Sequence, residues 1–313
     1  MPDSVYYVEV SVQRATVTVA LNGVELRTVG GPDGGFVAMP VNANLVGTAP
    51  DGSANRLVLA VRPAPDSAAA AALDALAPEA RALALADLYD AVGVTGLVKR
   101  YRTGDVAGLG SADGEVVARF DLAPTLERVR AERARAFAAR VEATPPAARA
   151  GVVADSARQL APPVPVEITV AFESPGAAGF RARLLEAEPA EREAVLDYAL
   201  ALRDMAARRD VDALTEAFRP KLEDYDQAYP EEAEDNQAFV ADMFQSMYPS
   251  GLQLDFGRDD VNAVPYNERR VWRLRVERSG QTDALFLTRG DDGFISRVDV
   301  FVGMVDGRLR VIR

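Results

Sequence analysis

Residues 17–29 read VTVALNGVELRTV, two runs that alternate apolar and polar residues around an Asn-Gly pair. Alternation with a period of two is typical of a half-buried β-strand, and a central Asn-Gly favours the tight turn of a β-hairpin. The stretch therefore predicts strands over Thr16–Leu21 and Val24–Val29, joined by a turn at Asn22 and Gly23. An antiparallel sheet is the expected start of the fold.

The same strand pattern recurs through the first half of the chain, interrupted by two alanine-rich segments of helical spacing at about 66–91 and 125–143. The glycine-rich residues 30–35 and the proline- and alanine-rich residues 144–165 predict loops. We therefore predict a β-sandwich domain with helical insertions over residues 1–178, ending at the small residues of 174–179. The further strands predicted in it are Tyr7–Val12, Phe36–Val46, Arg56–Arg62, Val94–Tyr101, Glu115–Leu122 and Val166–Phe172.

In the second half, helical patterns come first and strand patterns follow. Three apolar stripes predict three helices, the second of them broken at Pro220. This order predicts an α+β domain over residues 179–313, with helices packed on one face of an antiparallel sheet. The stripes are Val195, Tyr198, Leu202 and Met205; Leu214, Phe218, Leu222, Tyr225 and Tyr229; and Phe239, Met243, Phe244 and Met247. The predicted strands are Leu252–Phe256, Arg270–Arg278, Asp283–Arg289, Phe294–Val302 and Arg308–Ile312.

The chain contains no histidine and no cysteine. Histidine bases, histidine-ligated zinc, thiolate nucleophiles, disulfides and iron–sulfur clusters are therefore excluded, and we expect neither a metal nor a cofactor. A net charge of −12 opposes binding to nucleic acid. Without a long apolar run or a signal-like N-terminus, we expect no membrane partner and a cytoplasmic location.

The N-terminal segments VTVALNGVELRTV, FVAMPVNANLVG and NRLVLAVRP resemble the galactose-binding-like jelly-roll sandwiches that accompany many glycosidases. The match covers about sixty residues. In that family an Asn-Gly hairpin precedes a strand, and an Asn, a Gly and an Asn-x-Leu strand follow. The resemblance implies a β-sandwich and, as one function, carbohydrate binding through exposed aromatic side chains.

The C-terminal block from Ala190 to Arg313 resembles the cone-shaped nuclear-transport-factor-2-like superfamily. The resemblance rests on ALRDMAARRDVDALTEAF, the proline at 220, the strand VWRLRVE and the closing DGRLRVIR. That superfamily includes ketosteroid isomerase, in which an Asp base and Tyr/Asp donors lie inside an apolar cone. The resemblance implies a pocket that works without histidine or cysteine.

Six residues are candidates for such a site by type and position. Five of them also have a structural interpretation: Tyr225 lies on an apolar stripe with Asp226 solvated beside it, Arg297 and Asp299 can form an ion pair at a sheet edge, and Trp272 shares its strand face with two core residues. Both interpretations stay open. The candidate catalytic residues are Tyr225, Asp226, Tyr248 and Asp299, and the candidate ligand-binding residues are Trp272 and Arg297.

No pattern in the sequence indicates a particular reaction. The sequence therefore favours a non-enzymatic function over an enzymatic one. The leading hypothesis is a non-enzymatic protein that binds another protein or a second copy of itself. One alternative is a small-molecule enzyme or ligand carrier with an Asp/Tyr-lined pocket in the C-terminal domain. The other is carbohydrate binding by the N-terminal sandwich.

Overall fold

The structure is a computed structural model of the 313-residue chain. Helices and antiparallel strands are mixed: sheets dominate the N-terminal region, and helices followed by a sheet form the C-terminal region. Almost all of the predicted boundary at 174–179 lies outside the described residues. In the described part of the chain, each helix is too short or too polar to cross a membrane. The described residues are 4–45, 54–102, 114–174, 187–229, 233–278, 280–289 and 295–313.

Two four-stranded antiparallel sheets make up the N-terminal region. The predicted hairpin is confirmed: Leu21 pairs with Val24, and Asn22 and Gly23 have the positive φ angles, 52° and 79°, that a tight hairpin turn requires. The outer sheet contains, in spatial order, β4 (Gly35–Pro40), β1 (Ser4–Gln13), β6 (Gly93–Arg102) and β7 (Glu115–Asp121). The hairpin sheet contains β3 (Val24–Gly31), β2 (Ala15–Leu21), β5 (Asn55–Pro63) and β8 (Val166–Phe172).

Alternate side chains of both sheets enter one buried apolar cluster, as the period-two pattern predicts. The outer sheet contributes Tyr6, Val8, Val10 and Val12 from β1, and the hairpin sheet contributes Val17, Val19 and Leu21 from β2. The residues between the first four, Tyr7, Glu9 and Ser11, therefore lie on the opposite face of the outer sheet.

One N-terminal strand is shorter than predicted. Phe36–Val46 is not one strand, because β4 ends at Pro40 and a 3₁₀ helix follows at Asn42–Asn44. The Asn42 side chain accepts a hydrogen bond from the Tyr6 amide (2.7 Å) and donates one to the Ser4 carbonyl (2.9 Å). These bonds to β1 turn the chain away from the sheet. Val46 lies outside the described residues.

The predicted helical insertions are confirmed, and the helical content is larger than predicted. The loop expected at 144–165 was wrong, because a 3₁₀ turn and two short helices occupy most of it; alanine favours helix strongly enough to form them. The helices of the region are α1 (Ser67–Asp74), α2 (Pro78–Asp87), α3 (Leu122–Ala143), α4 (Arg149–Ala154) and α5 (Ser156–Leu160).

Three helices and two sheets make up the C-terminal region. The space between them is filled by apolar side chains, with Phe218, Phe244, Trp272 and Phe286 among the largest. The helices are α6 (Arg192–Ala207), α7 (Val211–Ala228) and α8 (Ala233–Met247). A five-stranded sheet contains β9 (Val261–Tyr266), β10 (Val271–Arg278), β11 (Gln281–Ala284), β14 (Val300–Val305) and β15 (Arg308–Val311), and β12 (Phe286–Arg289) pairs with β13 (Ile295–Val298).

Two details of the predicted helices were wrong. α7 continues through Pro220, which is buried. Packing of its ring in the helix face offsets the backbone hydrogen bond that proline cannot donate. In α8 the described residues Val240 and Phe244 are fully buried, whereas Phe239, predicted on the buried stripe, is 47% exposed.

The predicted strands of the C-terminal region were wrong in three places. Leu252–Phe256 is not a strand, because Leu252 makes only an isolated bridge to Thr288. β9 was not predicted. The strands predicted at 283–289 and 294–302 each divide where the chain passes between the two sheets, at Leu285 and Asp299. The alternation of apolar and polar residues along a strand does not reveal where that strand changes the neighbouring strand with which it pairs.

The N-terminal hairpin contacts the C-terminal sheet directly. Val24 packs in a small cluster with Val271, Phe301 and Ile312. Beside it, the guanidinium of Arg273 lies 2.5 Å from Glu25. This contact buries charge at the junction between the two regions.

Candidate functional site

A groove of about 620 Å³ lies along the outer sheet, on the face turned away from the apolar cluster. Strand register places two rows of side chains across it. Phe36, Ser11, Thr95 and Asp121 pair in one row, and Ala38, Glu9, Leu97 and Arg119 pair in the next. The residues that line the groove are Glu9, Ser11, Phe36, Thr95, Gly96, Leu97, Arg119, Phe120, Asp121 and Pro124.

A buried ion pair adjoins this groove. Glu9 Oε1 lies 3.0 Å from Lys99 Nζ, and the two side chains are only 10% and 11% exposed. The Tyr101 hydroxyl donates a longer hydrogen bond, 3.4 Å, to the same oxygen. The hydrogen bond that the Lys99 ammonium donates to Glu9 raises the pKa of Lys99 above its ordinary value, so this lysine stays charged. The groove therefore has a fixed polar wall in which opposite charges balance.

The rim of the groove combines an apolar ring with polar groups. Phe36 is 49% exposed, so about half of its ring is open to solvent. Ser11 and Thr95 follow it across the sheet, and Asp121 ends the row. Asp121 also accepts a hydrogen bond from the Ala123 amide (2.8 Å) at the start of α3, which fixes its position. An aromatic surface, hydroxyls and a carboxylate thus face the same open space.

A second cluster lies at the end of α7, where Lys221 and Tyr225 share one face at helical spacing and Tyr229 follows the last helical residue. The Lys221 ammonium lies 5.7 Å from the ring centroids of Phe218 and Tyr225, and 5.8 Å from that of Phe239. The three rings form what we call the lysine cage.

Arg313 at the end of the chain adjoins this cage. Its guanidinium lies 5.4 Å from the Phe301 ring centroid, and the Tyr225 hydroxyl interacts with it. Within the described residues, Nη1 of Arg313 is buried without a hydrogen-bond partner. Burial lowers the pKa of Arg313, while Tyr225, Tyr229 and Asp299 act in the opposite direction. Burial, helped by the charge of Arg313, also lowers the pKa of Lys221 to about 8.

The structure brings two of the six candidate residues together. Tyr225 and Asp299 both act electrostatically on Arg313. Asp226 lies on the same helix, and its Oδ1 is buried without a hydrogen-bond partner in the described part of the chain. Arg297 lies apart and pairs with Asp283 at 3.3 Å.

The other two candidates also lie apart from Arg313. The Tyr248 ring lies 5.0 Å from the guanidinium of Arg209. Trp272 is 2% exposed in the core, as its structural interpretation predicts, and its Nε1 donates to the Arg269 carbonyl (2.9 Å).

The sequence analysis did not identify several residues that form the groove on the outer sheet and the cluster around Lys221. Lys99 and Lys221 are the only lysines in the chain, which could have drawn attention to them. The spacing of Lys221, Tyr225 and Tyr229 was a second available signal. Phe36, Glu9 and Arg313 carry no local signal, because their neighbours are distant in sequence.

Comparison with known proteins gave no match: no protein-family model, curated protein or solved structure is significantly similar to this chain.

Proposed function

We propose that this chain is a non-enzymatic binding protein whose groove on the outer sheet takes a sugar or a similar polyhydroxylated ligand. The ligand can be free or carried by a partner protein. In this proposal residues 1–178 form a β-sandwich domain of galactose-binding-like type and residues 179–313 a cone-like α+β domain, in a cytoplasmic protein.

The observation that carries the proposal is the half-exposed Phe36 beside a row of hydroxyl and carboxylate groups. The C–H face of a sugar ring packs on an aromatic ring, and neighbouring sugar hydroxyls hydrogen-bond to carboxylate and guanidinium groups. Asp121 and Arg119 supply one of each in the same groove. Because the Glu9–Lys99 pair is internally balanced, the wall selects for a polar ligand rather than for a strongly charged one.

Replacing Phe36 with alanine is expected to weaken sugar binding at least tenfold, because a central aromatic contact typically contributes about 1.5–2 kcal/mol or more. The intact protein is first screened against a glycan panel, and the best ligand is then titrated calorimetrically. Leu160→Ala is the matched control, since Leu160 is 38% exposed on α5, outside the groove lining. If no glycan binds, or if both variants bind equally well, the groove is not a sugar site.

The second candidate is a small-molecule site in the C-terminal region, for a carried ligand or a substrate. It is favoured by the buried Nη1 of Arg313, which has no hydrogen-bond partner among the described residues. The adjacent Lys221 adds a second cation, and Tyr225 adds a hydroxyl. This combination fits a small carboxylate or phosphate.

Replacing Arg313 with methionine is expected to weaken the binding of such an anion about tenfold or more, since a charged hydrogen bond contributes about 1.5–3 kcal/mol. Melting temperature is recorded against increasing phosphate, citrate and propionate, because a ligand of the folded state raises it. Arg308→Met, at an exposed position of β15, is the control for general salt effects. Identical curves for the two variants would remove Arg313 from the site.

A further inference from the structure

A helical arm extends from the N-terminal region over residues 127–160. It contains α3 beyond its first turn, followed by α4 and α5, and Arg133 of α3 donates a hydrogen bond to the Gln159 carbonyl of α5 (2.9 Å). Only the start of α3 is buried, at Leu122 and Leu126, and none of residues 127–165 is fully buried. Helices in proteins are stabilised mainly by packing of an apolar face. The arm therefore presents a surface that the described part of the chain does not cover.

The arm is basic, although the chain as a whole is acidic. It contains seven arginines and four acidic residues, whereas the net charge of the chain is −12. Arg128 and Arg135 lie about two turns apart on an exposed side of α3. Among the described residues, Arg128 forms one long ion pair, with Glu132 at 3.9 Å, and Arg135 forms none. On α4, Val153 is 51% exposed and adds an apolar contact surface.

A surface of opposite charge lies on the C-terminal helices of the same chain. Together α6, α7 and α8 contain eleven acidic and four basic residues. Asp212 and Glu223 lie about three turns apart on the exposed side of α7, and Phe239 and Asp242 are exposed on the neighbouring α8. Within the described residues, the three carboxylates form no salt bridge. We call these four residues the acidic helix face.

We propose that the arm of one copy of this chain docks on the acidic helix face of a second copy, and that the second copy's arm docks on the first in the same way. Opposite charges orient the two surfaces, and the exposed side chains of Val153 and Phe239 supply apolar contact area. The product is a dimer with two-fold symmetry, in which the same contact occurs twice.

The size of the arm agrees with a contact that occurs twice. From residue 127 to its end at Ala143, α3 is about 25 Å long, and two helices side by side are about 20 Å wide. One contact of this kind covers about 500 Å² on each partner, which is less than the roughly 800 Å² of a typical stable interface. Two such contacts exceed that area.

A second copy fits the arm better than a polyanion does. The net charge of −12 opposes the approach of nucleic acid or of an anionic membrane to the chain. The acidic helix face, by contrast, is present at the same concentration as the arm. The arm and the acidic helix face lie outside the groove lining, so this inference does not depend on sugar binding.

Sedimentation velocity of the full chain, over a range of protein concentrations, tests the dimer. We expect dimers at about 0.01 M salt and at least about tenfold weaker association at about 1 M, because the Debye length falls from about 30 Å to about 3 Å. Arg128→Glu combined with Arg135→Glu is expected to raise the dissociation constant about a hundredfold, since like charges would then face each other. The matched control is Arg27→Glu with Arg308→Glu, which changes the net charge equally at exposed positions outside both surfaces and should dimerise like the wild type.

An exchange of charges identifies the surface that receives the arm. Asp212→Arg combined with Glu223→Arg is expected to be monomeric alone. Mixed in equal amounts with the Arg128→Glu, Arg135→Glu variant, it is expected to form dimers, because each arm then meets a face of opposite charge. Circular dichroism checks that every variant is folded.

Three results would overturn the proposal: a wild-type protein that stays monomeric at low salt, an arm variant that dimerises as tightly as the control, or a mixture of the two charge-reversed variants that does not associate. Binding of a monomeric wild type to phosphatidylserine vesicles or duplex DNA would also overturn it and would assign the arm to that partner.

Discussion

Replacing Arg273 with methionine is expected to lower the free energy of unfolding by about 3–5 kcal/mol. The Arg273 side chain is 7% exposed, and its guanidinium lies 2.5 Å from Glu25 and 2.9 Å from Asp299. It also lies 5.5 Å from the ring centroid of Phe301. Methionine would fill similar space but would leave the Glu25 carboxylate, 20% exposed, without its cation. An uncompensated charge at a largely buried position is the reason for the large effect.

Urea unfolding at neutral pH measures this loss. Arg269→Met is the matched control, because Arg269 pairs with Glu191 at 3.2 Å where the two side chains are 51% and 74% exposed. Exposed pairs contribute about 0–1 kcal/mol. Glu25→Gln combined with Arg273→Met is expected to recover part of the loss, since it removes the stranded charge. If Arg273→Met costs no more than the control, the junction pair has no structural role.

Urea unfolding of Arg273→Met also tests whether the N-terminal and C-terminal regions unfold together. Glu25 belongs to the N-terminal hairpin and Arg273 to β10, so their contact joins the two regions of the chain. A second contact joins the same two regions, because the Asn267 side chain donates a hydrogen bond to the Asn22 carbonyl (3.0 Å). A loss of cooperativity in Arg273→Met, seen as a second unfolding transition, would indicate that the regions fold as separate units.

Local patterns predicted most of the secondary structure, because strands and helices each impose their own period on the sequence. The Asn22-Gly23 turn and the helix at 122–143 follow from such patterns. Pro220 was misjudged because a rule about the isolated backbone was applied where tertiary packing decides. The changes of sheet at Leu285 and Asp299 also depend on partners that a local pattern does not reveal.

The candidate sites were harder to predict than the elements that hold them. Tyr225 and Asp299 were chosen by residue type, and the structure relates both to Arg313, a residue the sequence did not single out. The groove depends on register: Phe36, Ser11 and Thr95 face the same space only because β4, β1 and β6 pair in that alignment. The register between strands that are distant in sequence is set by the whole fold. No local motif therefore predicts that these side chains line up across the sheet.

Replacing Lys99 with methionine is the other change with a large expected effect, again about 3–5 kcal/mol in the free energy of unfolding. Glu9, 10% exposed, would keep its charge without the ammonium now 3.0 Å away. The same change alters the wall of the groove, so sugar binding is expected to weaken as well. Lys99→Met with Glu9→Gln should restore part of the stability, because no unpaired charge remains.

The neighbouring Arg100 provides the control for Lys99. Arg100, on β6 like Lys99, pairs with Glu115 of the neighbouring strand β7, but those side chains are 43% and 60% exposed, so Arg100→Met should cost about 1 kcal/mol or less. The pH dependence gives an independent check. Because the pKa of Lys99 is raised above 10.5 in the folded state, the pair stabilises the protein below about pH 10.5 and loses that contribution as pH rises through the folded-state pKa. The difference in stability between wild type and Lys99→Met should therefore narrow in alkali; a constant difference, or one as small as that of Arg100→Met, would show that the loss does not come from the ion pair.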